Sequence, residues 1–126
     1  MSNIRIRIRN GEEFCAELNK SLMSDTFWLS LPKKPFINML GSMIYFECPL
    51  DCPIEGNEVT LLETGDIAYW PGANAVCIFF GPTPLSKDDG KPVSPYPVIR
   101  LGRLIGDCSA LEDAGDRQSI RIERAF

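Results

Sequence analysis

Histidine is absent from this 126-residue chain. That removes every Ser-His-Asp or Cys-His nucleophile pair and every His-ligated metal centre. No apolar run approaches the roughly 18 residues that a membrane-spanning helix needs. At the N-terminus, arginines interrupt Met1-Ser2-Asn3-Ile4-Arg5-Ile6-Arg7, where a signal peptide would be continuously apolar. A cytoplasmic location with no membrane partner is therefore expected. Basic charge is also scarce: thirteen Lys and Arg face seventeen Asp and Glu, a net charge of −4. Such a balance argues against a nucleic-acid partner, which would call for a basic face. The five cysteines, Cys15, Cys48, Cys52, Cys77 and Cys108, are odd in number and irregularly spaced, unlike a secreted disulfide framework. Cys48 and Cys52 have a spacing that zinc tolerates, but no second close pair exists to complete a tetrahedron. The glycines near positions 81 and 90 fit neither a dinucleotide fingerprint nor a Walker loop. No metal and no cofactor are expected.

What is present is the composition of one folded domain spanning residues 1–126, with 44% hydrophobic and 24% charged residues. Ile4, Ile6 and Ile8 alternate with Arg5, Arg7 and Arg9, the pattern of a strand with one dry and one wet face. A second alternating run carries Phe14, Ala16 and Leu18, and Asn10-Gly11 between the runs signals a hairpin. A two-residue loop would mix the faces. Parity therefore calls for three residues, with Gly11 left-handed, Ile6 opposite Phe14 and Arg7 opposite Glu13. Asn19 is positioned to cap a helix starting at Lys20, whose Met23 and Phe27 share a face and which Pro32 ends.

From Ile37 onward short strands dominate: Ser42 to Glu47, Val59 to Leu62, Ile67 to Trp70, Ala75 to Phe80 and Val98 to Ile105. Ala75-Val76-Cys77-Ile78-Phe79-Phe80 is apolar on both parities, so both of its faces must be covered. Gly81 to Pro97 reads as one long loop holding five of the ten prolines, a length often given to lids and binding loops. Ser109 to Glu112 has capping-box spacing for a short helix that Gly115 can end. Ser119 to Glu123 alternates again, and its wet face matches that of the first strand, which makes the chain ends candidates for pairing. Many short strands with two helices predict a mainly β fold, a closed barrel whose two helices cap its ends.

Gly65-Asp66-Ile67-Ala68-Tyr69-Trp70-Pro71, followed by Ala75 through Pro84, resembles the small cyclophilin-like proteins of archaea and bacteria. Asn38, Gly41 and Ile44-Tyr45-Phe46 match a second block of that pattern, and Val98-Ile99 with Gly102-Arg103 a third. The resemblance implies a cyclophilin-type closed barrel. True cyclophilins isomerise peptidyl-proline bonds, lowering a barrier of roughly 18–20 kcal/mol by donating a hydrogen bond from an arginine near the prolyl nitrogen. That arginine lies on the strand after the first helix, near a glutamine and a phenylalanine. Here Ile37 to Cys48 contains neither Arg nor Gln, so no catalytic residue carries over position by position.

The candidate site is drawn from the aromatics of three strands and one arginine: Tyr45, Phe46, Tyr69, Trp70, Phe80 and Arg100. Trp70 ends a strand before Pro71-Gly72, where the mouths of barrels lie. Arg100 and Arg103 have opposite parity, so one of them must face inward unless a bulge at Gly102 switches faces. The expected function is binding of a small molecule or short peptide in an aromatic cleft edged by the proline-rich loop. The rival is a peptidyl-prolyl isomerase using a displaced arginine such as Arg100. A homodimer through an exposed apolar strand or Trp28 is a third possibility.

Overall fold

The computed structural model describes residues 2–54 and 56–125. The chain runs β1 (Asn3–Arg7), β2 (Glu13–Leu18), α1 (Leu22–Leu29), β3 (Asn38–Leu40), β4 (Met43–Glu47), β5 (Glu58–Leu61), β6 (Asp66–Trp70), β7 (Ala75–Phe79), β8 (Val93–Leu104) and β9 (Arg121–Ala125). Short 3-10 turns occupy Pro71–Ala73 and Ser109–Ala114. One sheet has the strand order β3-β4-β7-β6-β8-β2-β1-β9, and β5 lies beside β8 off that path.

Parity sets the first hairpin as expected. Ile6 lies opposite Phe14 and Arg7 opposite Glu13. The turn closes through the Ile8 N–H donating to Glu12 O at 3.0 Å, with Gly11 at φ 91°. The chain ends pair too, setting Ile6 opposite Ile122 and Arg5 opposite Glu123. The isoleucines therefore share one buried face with Phe14, Ala16 and Leu18. On the other face Glu13 pairs with Arg7 at 2.6 Å and with Arg5 at 3.3 Å.

The helix starts later than the sequence predicts. Ser21 is the cap, its Oγ accepting the Ser24 N–H at 3.1 Å. Asn19 lies two residues before that cap, its Oδ1 accepting the Ser21 hydroxyl at 2.8 Å while its N–H donates to Leu101 O at 2.7 Å on the edge of β8. Met23 and Phe27 enter the inner core, as do Leu111 and Ala114 of the second 3-10 turn.

The expected closed barrel is not formed. The sheet curls into an open half-barrel with β3 and β9 as its edges. The stretch 33–37 runs between those edges, with Lys33 and Ile122 exchanging both backbone bonds at 2.8 Å. Pro35 accepts the Ile120 N–H on its carbonyl but has no N–H to return, so this seam never becomes a continuous ladder. The two-sided demand of β7 is met differently. All five of its residues are buried. Val76 and Ile78 face the inner core, whereas Cys77 and Phe79 join an outer cluster with Met43, Leu62, Ala68 and Val98. Leu62 lies just beyond β5, so the chain leaving that strand helps to keep the outer face dry.

The long loop is shorter than expected, because β8 begins at Val93 rather than Val98. What is left of it is tied down from within: the Thr83 N–H donates to Ser86 Oγ at 2.8 Å, and Ser86 Oγ donates to Lys91 O at 2.7 Å.

One irregularity in β8 reorders the face assignments. Ile67 opposes Gly102 and Ala68 opposes Arg100, which leaves Leu101 as an extra residue in the ladder. A Cβ at Gly102 would lie 2.3 Å from Glu17 O and 2.8 Å from Leu18 Cα, so β2 crosses directly over the bulge.

Two outcomes follow. Gly102→Ala is expected to lower stability by about 2–3 kcal/mol, read as an earlier urea midpoint; an unchanged midpoint would contradict the close crossing. The second concerns Cys77, whose thiol burial pushes up from 9.0 to about 12. The unfolded chain loses this proton at lower pH than the folded one. Its contribution is therefore complete below pH 9 and declines from there toward about 12, by about 1.4 kcal/mol per pH unit. Urea unfolding across that range should show a shallower decline in Cys77→Ala than in the parent chain; parallel declines would refute the assignment.

Candidate functional site

The six residues singled out from sequence divide by face. Phe46, Tyr69 and Phe80 belong to the inner core, at 0%, 3% and 7% exposure. Tyr69 also spends its polar end within the fold: its hydroxyl accepts the Leu50 N–H at 3.3 Å and donates to Asn74 Oδ1 at 3.2 Å. Tyr45, Trp70 and Arg100 lie on the outer face. Tyr45 meets Trp70 edge-on with centroids 5.9 Å apart, and Trp70 stacks on Tyr96 at 4.4 Å and 11°. The structure thus builds an outer aromatic ladder in which Tyr96, not singled out from sequence, replaces the buried rings.

The bulge settles the arginine puzzle. With Leu101 taking the inner side, Arg100 and Arg103 both point outward and converge on Asp66. Arg100 Nε lies 3.2 Å from Asp66 Oδ2 and Arg103 Nε lies 3.1 Å from Oδ1. The Glu63 N–H donates a third bond to Oδ2 at 2.8 Å. The Asp66 side chain is only 2% exposed, while the two guanidinium-bearing chains are 46% and 59% exposed. A buried carboxylate is tolerable here because each of its oxygens is satisfied by charged or backbone donors. Arg100 is fixed further by donating from Nη2 to Leu61 O at 3.0 Å.

The surroundings of Arg100 follow from how β8 shares one edge. β5 pairs with it at Val98 and Ile99, whereas β2 pairs from Gly102 to Leu104. Between them Asn19 takes the edge, its Nδ2 donating to Arg100 O at 2.8 Å. Where β5 and β2 part, a cleft of about 520 Å³ opens, walled by Lys20, Leu22, Met23, Val59, Ile99 and Arg100. Among the described residues no aromatic ring lines it, so the expected aromatic cleft and the arginine are separate features of the same outer face. Arg100 also borders hollows of about 380 and 270 Å³, the smaller one edged by Lys87, Asp89 and Lys91 of the proline-rich loop.

Asp66 is not singled out from sequence, where the strand is read from Ile67. Its parity with Ala68 and Trp70 was readable; its two partners thirty-four and thirty-seven residues away were not. Trp28 is engaged within the chain, donating from Nε1 to Asn3 O at 3.2 Å under the Arg124 guanidinium. Among the described residues no three His, Cys, Asp or Glu side chains gather where a metal ion could be held. No helix among them is long and apolar enough to cross a membrane.

Asp66→Asn removes the charge on which two half-exposed arginines converge. A loss of about 1–2 kcal/mol is expected, discounted for their exposure, and Arg103→Gln should cost less because Arg100 still pairs. Equal urea midpoints for Asp66→Asn and the parent chain would show that the cluster adds no stability.

Comparison with known proteins agrees with this architecture. No curated protein matches the chain. Among solved structures, the solution structure of the hypothetical protein AF2241 from Archaeoglobus fulgidus is similar, at 33% identity and a TM-score of 0.79, covering 98% of this chain and 95% of that one. A family model described as Cyclophilin-like matches residues 2–123. The chain belongs to the cyclophilin-like family.

Proposed function

We propose that this cyclophilin-like domain binds a small molecule or short peptide, and that the ligand sits in the cleft between β5 and the start of α1. The observation that carries this reading is a pre-positioned arginine at the wall of a cleft of about 520 Å³, within the range of roughly 300–1,000 Å³ typical of ligand sites. Leu22, Met23, Val59 and Ile99 supply apolar surface, and Asn19, Lys20, Ser21 and Arg100 supply the polar groups that orient a ligand. Arg100 is held from two sides, by Asp66 and by the Leu61 carbonyl, so little freedom remains to be lost on binding.

Binding without isomerisation is the preferred form of the reading. Ile37 to Cys48 has no arginine or glutamine, and no histidine exists in the chain. The isomerase alternative keeps one supporting feature, a fixed arginine beside apolar side chains. The ladder of Tyr45, Trp70 and Tyr96 offers a second seat, since stacked and edge-on rings present flat apolar surface to a ring or a proline.

Fragment-sized molecules screened by amide chemical shift distinguish these readings. Shifts are expected at Asn19 to Met23, Val59, Ile99 and Arg100, and should vanish in Val59→Trp, where the indole fills the cleft. Shifts gathered on Tyr45, Trp70 and Tyr96 instead would move the site to the ladder. In a coupled proline-isomerisation assay no turnover above the spontaneous rate is expected. Turnover that disappears in Arg100→Ala would overturn the non-catalytic reading.

A further inference from the structure

Three hollows meet at Arg100, and they differ in charge. Glu17 and Asp66 line one, and Glu63 and Asp89 line another. The third, the cleft between β5 and α1, has Lys20 and Arg100 and no carboxylate among its described lining residues. Asp66 does not cancel the positive charge, because one carboxylate serves two guanidinium groups and leaves a cation in excess. Nor does it occupy the whole of Arg100: Nε goes to Asp66 and Nη2 to Leu61 O, while Nη1 has no partner among the described residues. The arginine is thus oriented by its neighbours with one donor group still available.

We infer that the cleft selects ligands carrying a carboxylate or phosphate attached to an apolar body, with Arg100 as the residue that determines this specificity; the inference rests on the cleft being the binding site. An oxyanion on Nη1 makes a charge-assisted hydrogen bond with a group whose geometry is already set. Apolar walls at Met23, Val59 and Ile99 lower the local polarisability around that contact and so strengthen it. Lys20 adds a second, more mobile charge at the rim. A cation meets the like charges of Lys20 and Arg100, and a neutral isostere gives up the charge-assisted bond.

The full chain is titrated with benzoate, phenyl phosphate and benzamide at millimolar concentration while amide shifts are followed. Benzoate and phenyl phosphate separate the carboxylate and phosphate sources of the shared chemistry, and benzamide is the neutral control. At least one anion is expected to shift Asn19 to Met23, Ile99 and Arg100, binding at least about tenfold more tightly than benzamide. Arg100→Gln should erase that difference. Lys20→Gln, which leaves the Asp66 cluster untouched, should reduce anion affinity about threefold. Benzamide binding in the cleft as tightly as benzoate overturns the charge selectivity and leaves the cleft standing as the site. Shifts elsewhere, or none with any probe, overturn both. Undiminished anion affinity in folded Arg100→Gln overturns the role of Arg100; should that variant fail to fold, undiminished affinity in Lys20→Gln overturns the anion reading.

Discussion

The extra residue in β8 is the constraint on which the outer face depends. A strand of strict period two cannot point residues 100 and 103 the same way, because they differ by an odd number. Inserting Leu101 out of register switches the parity and brings both arginines onto Asp66. The crossing of β2 over Gly102 fixes where this happens, since only a residue without a side chain leaves room for the Glu17 carbonyl. A backbone contact on the inner side thus determines an ion cluster on the outer side. The same handover of the β8 edge from β5 to β2 leaves the gap that becomes the cleft.

Local order was legible in the sequence wherever a single parity had a single possible partner. The register of β1 and β2 came from matching faces across Gly11, and the pairing of the chain ends came from matching wet faces. Closure was not legible. The apolar character of β7 on both parities demands two covers and says nothing of what they are. A closed barrel supplies them, and so does an open sheet whose outer face is packed against Leu62 and its neighbours. What bears on this choice lies at Pro35, which is not singled out from sequence. Its missing donor stands where the last ladder would have formed.

The candidate site was legible in part, and for a related reason. Alternation shows which of Tyr45 and Phe46, or of Tyr69 and Trp70, share a face, but not which face is inside. That depends on the pairing of β4, β7 and β6, which sends Phe46 and Tyr69 into the inner core and Tyr45 and Trp70 out. Tyr96 was hidden by its neighbours. Pro95 and Pro97 mark it as loop, yet it lies in the extended start of β8 and stacks on Trp70. Prolines are compatible with strand geometry where the ladder does not need their donors. Asp66 was hidden because a carboxylate at a strand start is usually solvated, and nothing nearby in sequence announces the two arginines that permit its burial.

The distribution of acidic groups around Arg100 bears on what such an arrangement is for. An arginine kept only to stabilise a fold is best served by saturation, with a carboxylate on each side of its fork. Glu17, Glu63 and Asp89 all line hollows that Arg100 borders, and none is bonded to it. Its partners are instead one shared carboxylate and one carbonyl, and among the described residues the cleft adds only the cation Lys20 beside it. In the proposed reading this arrangement is functional: Asp66 and the Leu61 carbonyl fix the orientation of the guanidinium through Nε and Nη2, and Nη1 is left for an acceptor that arrives from solution.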